Sequence, residues 1–238
     1  MLAAEKLYRN YRGKPAVADL SLQVERGEIV GLLGPNGAGK TTTFYLLMGW
    51  LRPDGGRVCL NGTDITGLPM YRRARAGLGY LPQEPSVFGK LTVAENLLAV
   101  LEFRRLPGAE RRERCAAALE KLNLTGLTGR VAGTLSGGER RRVEVARSLV
   151  MDPAFLLLDE PFTGIDPLNI EELRGIIRGL ARDGIGVLIT DHNVRETLAI
   201  TDRSYLIFQG RVLISGSGRE LVDSPEARRL YLGESFSL

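Results

Sequence analysis

Residues 29–42 read IVGLLGPNGAGKTT, an apolar run that enters a glycine-rich turn and leaves it on a lysine and two threonines. Gly34, four intervening residues and then Gly39-Lys40-Thr41 fit the G-x-x-x-x-G-K-[ST] phosphate loop. Glycines let the backbone curl until successive N–H groups point into one concavity, a nest for anionic oxygens. A helix starting near Gly39 adds the positive end of its dipole. Pro35, Asn36, Gly37, Ala38 and Thr42 complete the loop. Lys40 can reach the β/γ-phosphates, and Thr41 offers a hydroxyl to Mg²⁺. A chance glycine-rich turn has no need of a strand before it and a helix after it, and both are legible here. The stretch predicts nucleoside triphosphate binding within an α/β fold.

Composition bounds the rest. The 238 residues suffice for one large α/β domain, or a core with a sub-domain. Apolar residues at 44% and charged residues at 25% are ordinary for a soluble globular chain. A net charge of +4 permits contact with anionic lipid or nucleic acid without arguing for either. Cys59 and Cys115 stand far apart with no CxxC, so neither a zinc site nor a disulfide framework is expected. No run approaches the ~18 apolar residues of a membrane span. The start, MLAAEKLYRNYRGK, carries charges where a signal peptide needs its apolar core. The expectation is a cytosolic chain that reaches a membrane only by docking onto another protein.

Patterning supplies the elements. LYRNY, AVADLSLQV and EIVGLLG read as strands, and TTTFYLLMGWL as a helix stopped by Pro53-Asp54-Gly55-Gly56. RVCLNGTDI returns as strand and turn, and GLGYLPQ as a strand reaching Gln83. From about Val93 to Leu149 the character is helical, with Cys115, Leu119 and Leu122 at helical spacing. AFLLLDEP and GVLITDH read as buried parallel strands flanking the amphipathic EELRGIIRGLARDG, and RSYLIFQGRVLISG as a closing hairpin. Strands alternating with helices imply a parallel-sheet core.

Three further clusters carry chemistry. Asp159 ends a buried strand, where it can hold Mg²⁺, and Glu160 follows where a carboxylate can orient or deprotonate water. Asp-Glu-Pro is also an ordinary helix-start signal. Ser136-Gly137-Gly138-Glu139 opens a helix and makes a second anion-binding N-terminus, although alone it reads as an N-cap. His192, the only histidine, follows the strand GVLIT at the sheet edge where α/β ligands bind; there it can donate a hydrogen bond to a γ-phosphate. A lone histidine is otherwise more often structural.

Taken in order, these stretches resemble the ATP-binding cassette (ABC) family, whose signature is LSGGE. Gly34 to Thr42 look like its Walker A, Gln83 like its Q-loop and Ser136 to Glu139 like its signature. Phe155 to Glu160 match its Walker B with catalytic glutamate, Gly164-Ile165-Asp166 its D-loop and His192 its switch histidine. Tyr11 falls where the family places an aromatic on adenine, with Tyr8 as competitor. The resemblance implies a P-loop NTPase fold with a RecA-like core, an antiparallel β subdomain and a helical subdomain. Residues 1–83 and 150–222 would form the core with its β subdomain, 84–149 the helical part and 223–238 a C-terminal tail.

The resemblance also implies ATP and Mg²⁺ as ligands, the metal held by Thr41, Gln83 and Asp159, and catalysis by Glu160, His192 and Gln83. It implies a head-to-tail homodimer in which the signature of one chain closes over ATP held by the other. Partners are then two transmembrane permease subunits with an accessory subunit, and not nucleic acid. GYLPQEPSVFGKLTVAENL, DEPFTGIDP and ITDHNVRETL look most like the lipopolysaccharide-export branch, with branched-chain amino-acid importers as the neighbouring branch. Gly89-Lys90 departs from the more basic pair of that branch. Phe88 is the candidate anchor for a transmembrane partner, packing beneath the helical region being its alternative role. A GTPase would need Asn-Lys-x-Asp, which is absent, and a P-loop kinase does not explain LSGGE.

Overall fold

A computed structural model describes residues 1–233 and 236, so the end of the 223–238 tail segment lies partly outside the described residues. Four strands make an antiparallel sheet: β1 (Leu2–Tyr11), β2 (Lys14–Val24), β4 (Gly55–Leu60) and β5 (Thr63–Asp64), in the order β2-β1-β4-β5. Six others make the central sheet: β3 (Ile29–Leu33), β6 (Leu78–Leu81), β7 (Phe155–Asp159), β8 (Gly186–Thr190), β9 (Arg203–Phe208) and β10 (Arg211–Gly216). Their order is β10-β9-β3-β8-β7-β6, parallel from β9 to β6, with β10 turning back against β9. Crossovers between parallel strands need helices. Those helices are α1 (Lys40–Met48), α2 (Met70–Arg75), α3 (Val93–Leu101), α4 (Gly108–Lys121), α5 (Gly137–Leu149), α6 (Pro167–Arg182) and α7 (Val194–Leu198), with α8 (Gly218–Asp223) after the last strand.

The continuous apolar runs serve two faces. Phe155 and Leu157 join Val30, Leu32 and Leu188 in a core shared with α1 and the antiparallel sheet. Their alternating neighbours Leu156, Leu158, Val187 and Ile189 point the other way, into a core built with α3 to α6. Strand residues buried on both sides read as unbroken hydrophobics for this reason. Each fully buried leucine contributes about 1.5–3 kcal/mol relative to exposure.

Two local expectations change, and one alternative falls away. The helix TTTFYLLMGWL stops at Met48, because Gly49 takes φ 77°. The Gly49 N–H donates to the Leu46 carbonyl at 3.3 Å and that of Trp50 to Tyr45 at 3.0 Å, the bonds of a Schellman motif. Its usual hydrophobic contact is the Tyr45–Trp50 ring pair, 5.0 Å apart. The strand GLGYLPQ ends at Leu81, short of Gln83, since Pro82 has no N–H to continue a ladder. The helix after Asp159-Glu160-Pro161 starts only at Pro167, capped by Asp166, whose carboxylate accepts the Asn169 N–H at 3.2 Å. The Asp-Glu-Pro triplet therefore does not start a helix.

Candidate functional site

The phosphate loop lies between β3 and α1. Gly34, Gly37 and Gly39 take φ 152°, 78° and 107°, which L side chains rarely adopt. At Gly34 a Cβ would lie 2.3 Å from the Ile207 carbonyl oxygen, and at Gly39 2.4 Å from that of Ala16. A Cβ on Gly37 would meet nothing within 4 Å, so that part of the loop faces open space. The N-cap position of α1, Gly39, supplies no side chain to the helix end, and the first turn holds no acid. Its N–H groups are thus left for an anion. Lys40 is buried, donating to the carbonyls of Gly34 at 2.6 Å and Pro35 at 3.1 Å. Burial holds its ammonium below the ordinary lysine value, against the pull of Glu160 and Asp159. The hairpin tip carrying Tyr11 leads into Ala16, which packs on Gly39. Tyr11 is exposed with the Arg9 guanidinium 5.2 Å over its ring, while the Tyr8 hydroxyl accepts from Asn10 at 3.3 Å.

At the carboxyl ends of β7 and β8 three acids are buried together: Asp159, Glu160 and Asp191. Burial pushes the Asp159 carboxyl up, partly offset by the Tyr80 hydroxyl, which donates to it at 3.1 Å. Burial also raises Asp191, although it accepts the N–H groups of Phe162 at 2.9 Å and Asn193 at 2.8 Å. Glu160 carries the geometry that matters most. Gln83 donates through Nε2 to its Oε2 at 2.6 Å, and His192 Nε2 lies 2.7 Å from its Oε1. Its backbone, at φ 48°, is in the left-handed region, fixed by an N–H bond to the Thr190 carbonyl at 2.7 Å. Gln83, Glu160 and His192, far apart in sequence, form one row about the Glu160 carboxylate.

The LSGGE helix is arranged differently. Ser136 Oγ accepts the Glu139 N–H at 3.3 Å, and the Glu139 carboxylate accepts the Ser136 N–H at 2.8 Å, a capping box. Gly137 is exposed at this end. Gly138 has Asn169 against it: a Cβ there would lie 2.4 Å from the Asn169 carboxamide carbon. Asn169 in turn bonds to Asp166, so the two loops touch within one chain.

Several partners escaped the sequence reading. Arg141 on α5 donates to the main-chain carbonyls of Pro82 at 2.7 Å and Asp159 at 3.2 Å, and pairs with Glu144 at 3.0 Å. Glu144 accepts the Ser86 N–H at 2.5 Å, and Arg147 donates to the Ser86 carbonyl at 2.6 Å. The segment after Gln83 is thereby fastened to the signature helix. Phe88 is 46% exposed, with the Arg147 guanidinium 5.0 Å over its ring. A groove of about 700 Å³ lies elsewhere on this surface, lined by Tyr71, Ala74 and Arg75 of α2, Val100, the turn Phe103–Arg105 and Met151. Phe88 is not among its lining residues. Nothing in the stretch MYRRAR marks this groove in the sequence.

Among the described residues no cluster of three or more His, Cys, Asp or Glu could hold a metal by itself. The three ligands expected from the sequence are hard oxygens: the buried Asp159 carboxylate, the Thr41 hydroxyl and the Gln83 amide oxygen, left over when its Nε2 bonds Glu160. Such a set fits Mg²⁺, which prefers oxygen ligands with one or two carboxylates among them and completes its shell with phosphate and water. Among the described residues no helix is long and apolar enough to cross a membrane.

The ABC transporter family profile matches residues 17–163. Over its whole length the chain is 56% identical to the lipopolysaccharide export system ATP-binding protein LptB of Acidithiobacillus ferridurans, covering 99% of that protein. It is 50% identical to the protein of the same name from Escherichia coli (strain K12), again over 100% of this chain and 99% of the relative. The ADP conformation of MJ1267, an ATP-binding cassette of an ABC transporter, matches it with a TM-score of 0.88 at 28% identity, over 98% of this chain and 99% of that one. The α/β cassette expected from the motifs is the fold observed.

Proposed function

The chain belongs to the ABC transporter family of ATP-binding proteins, and from that premise we propose that it is the motor subunit of a lipopolysaccharide exporter. It binds ATP and hydrolyses it. The observation that carries the chemistry is the Gln83–Glu160–His192 row, set beside Lys40 at the sheet edge. End-to-end identity of about half with relatives named for lipopolysaccharide export supports the cargo.

Glu160 orients or deprotonates the attacking water, with Gln83 fixing one carboxylate oxygen and His192 the other. Lys40 and His192 counter the charge that develops on the transferring phosphoryl group. Thr41, Gln83 and Asp159 would hold Mg²⁺. When bound, the ion supplies Lewis-acid polarisation of phosphate oxygens. Residues 34–42 cradle the phosphates and Tyr11 stacks on adenine. Two copies pair head to tail, so that Ser136 to Glu139 and Asp166 of one meet the nucleotide of the other. The core, residues 1–83 and 150–222, then moves against the helical part, 84–149.

A pair of LptF/LptG-like transmembrane subunits with an LptC-like accessory would receive that motion at the cytoplasmic face of the inner membrane. The groove flanked by Arg75, Arg104 and Arg105 suits an acidic amphipathic helix, and half-exposed Phe88 would be a second contact. Purifying the chain with its native membrane partners and identifying them tests the cargo. Recovery with amino-acid permease subunits would overturn the lipopolysaccharide reading and leave the motor assignment standing. Glu160→Gln with Mg-ATP should elute as a dimer, because the bridging phosphate is no longer removed; a monomer at saturating ATP contradicts the pairing.

A further inference from the structure

Arg73 is the largest fully buried side chain of the described residues, 1% exposed, and no carboxylate pairs with it among them. Its guanidinium donates instead to four main-chain carbonyls. Nε reaches Leu68 at 2.9 Å, Nη1 reaches Leu46 at 2.8 Å and Leu47 at 2.6 Å, and Nη2 reaches Thr66 at 2.8 Å. Leu46 and Leu47 belong to the last turn of α1, whose carbonyls have no partner inside the helix. The charge therefore sits on the negative end of the phosphate-loop helix. Burial draws its pKa down to about 10, a cost that the four-carbonyl fork offsets. Gly49 clears the space: a Cβ there would lie 2.6 Å from Arg73 Nε.

The position of Arg73 in sequence gives this clamp its meaning. Its neighbours Tyr71, Ala74 and Arg75 line the 700 Å³ groove, while Arg73 itself turns inward. One short helix thus has one face in the groove and the other bonded to α1. The nine residues of α1 span only about 14 Å at 1.5 Å per residue, and its far end is the phosphate cradle. A rigid rod of that length carries a displacement at one end to the other.

We propose that Arg73 is a positioning residue that makes α1 and α2 one mechanical body, so that a helix seated in the groove and a nucleotide at Gly39 and Lys40 bias one another. The groove half of this statement rests on the docking reading given under the proposed function; the rigid link to the nucleotide does not. The route differs from the one through Gln83 and Arg141. That path reports on the γ-phosphate end, whereas Arg73 acts on the cradle itself. Lysine cannot replace it, because a point charge on a flexible stem cannot hold four carbonyls spread over two segments. By linkage the coupling must run both ways, so it is measurable from the nucleotide side alone.

Hydrogen exchange on the full-length chain, with and without Mg-AMP-PNP, provides the test. In the parent chain the nucleotide should slow exchange at residues 40–48 and also at 70–76. In Arg73→Lys the slowing at 40–48 should persist, while that at 70–76 should fall at least about fivefold. A purely structural arginine would instead raise exchange at 70–76 equally with and without nucleotide, and that result overturns the proposal. A parent chain that responds at 40–48 but not at 70–76 overturns it without any variant. If neither segment responds, ATP binding itself fails along with the coupling. Should Arg73→Lys not fold, the parent chain alone decides, through the presence or absence of a response at 70–76.

Discussion

Two helices in this protein begin on glycine-rich turns, and their N-termini are finished in opposite ways. α1 starts at Gly39, with φ 107°, no side-chain cap and no acid in its first turn. α5 starts at Ser136, with a complete capping box and Glu139 held 3.5 Å from Arg130. A glycine N-cap costs a helix end a few tenths of a kcal/mol relative to a serine or aspartate cap. The fold bears that cost where phosphate will supply the missing acceptors. At α5 the capping box engages the N–H groups of Ser136 and Glu139, so that the serine hydroxyl and the two glycine N–H groups stand on a stiff, self-supported turn. The first end is built to receive an anion. The second is built to be presented to something that arrives from outside its own chain.

The largest expected effect tests whether the second end has a catalytic part despite being capped. Ser136→Ala and Glu160→Gln should each lower turnover by about 10²-fold or more, the range for a lost catalytic group. Steady-state phosphate release measures both, and a Ser136→Ala chain that turns over normally would reduce the LSGGE end to a cap. Next comes affinity. Lys40→Ala removes charge-assisted bonds worth about 1.5–3 kcal/mol, so nucleotide affinity should drop roughly 10–100-fold. Ser136→Ala should leave the affinity of the isolated chain within about twofold, since its partner nucleotide is not its own. Equal losses in an equilibrium titration would break the distinction between the two ends.

A smaller effect concerns stability. Ser136→Ala forfeits a cap and should cost about 1 kcal/mol, or a melting point lower by roughly 2–4 °C for a chain of this size. Denaturant unfolding without nucleotide reads it directly, and no change would mean that the capping box is not formed in solution.

The smallest effect has its origin in the buried acids. Asp159 and Asp191 have carboxyls raised by burial and, in part, by the charge of Glu160. A carboxyl raised on folding makes the folded chain bind protons more readily than the unfolded one. Its contribution is favourable below the ordinary carboxylate value of about 3.9 and is lost as pH climbs through the raised one. At neutral pH these groups burden the nucleotide-free fold. Glu160→Gln removes one neighbouring charge and should raise the melting point by about 2 °C at neutral pH. The gain should shrink as the pH falls toward the raised carboxyl values. A lower melting point at neutral pH would show that the contacts with Gln83 and His192 outweigh the repulsion.

What could be read from sequence divides along the same line. The phosphate loop, the Asp159-Glu160 strand end and LSGGE are local patterns, each complete within a few residues, and their placement at strand ends and helix starts followed. Links between distant segments left no local trace. Arg73 sits in MYRRAR, which looks like any exposed basic stretch, and α2 is too short for periodicity to show. Arg141 reaching the Asp159 carbonyl and Tyr80 reaching the Asp159 carboxylate join β6, β7 and α5 across the fold. The early stop of α1 was legible in principle, since Gly49 is the residue a Schellman motif favours. The proline four positions later simply looked like the stronger signal.

Glu160 stands at φ 48°, a backbone state that costs a residue with a Cβ about 1–2 kcal/mol and that glycine or asparagine enters more readily. Folding alone would therefore drift this position away from glutamate, and it would do so faster for relieving a crowd of buried acids. Only turnover opposes that drift. A copy of this chain released from its export duty would be expected to lose Glu160 before it loses Lys40, leaving a descendant that still holds ATP, is harder to melt, and has become a nucleotide-dependent clamp.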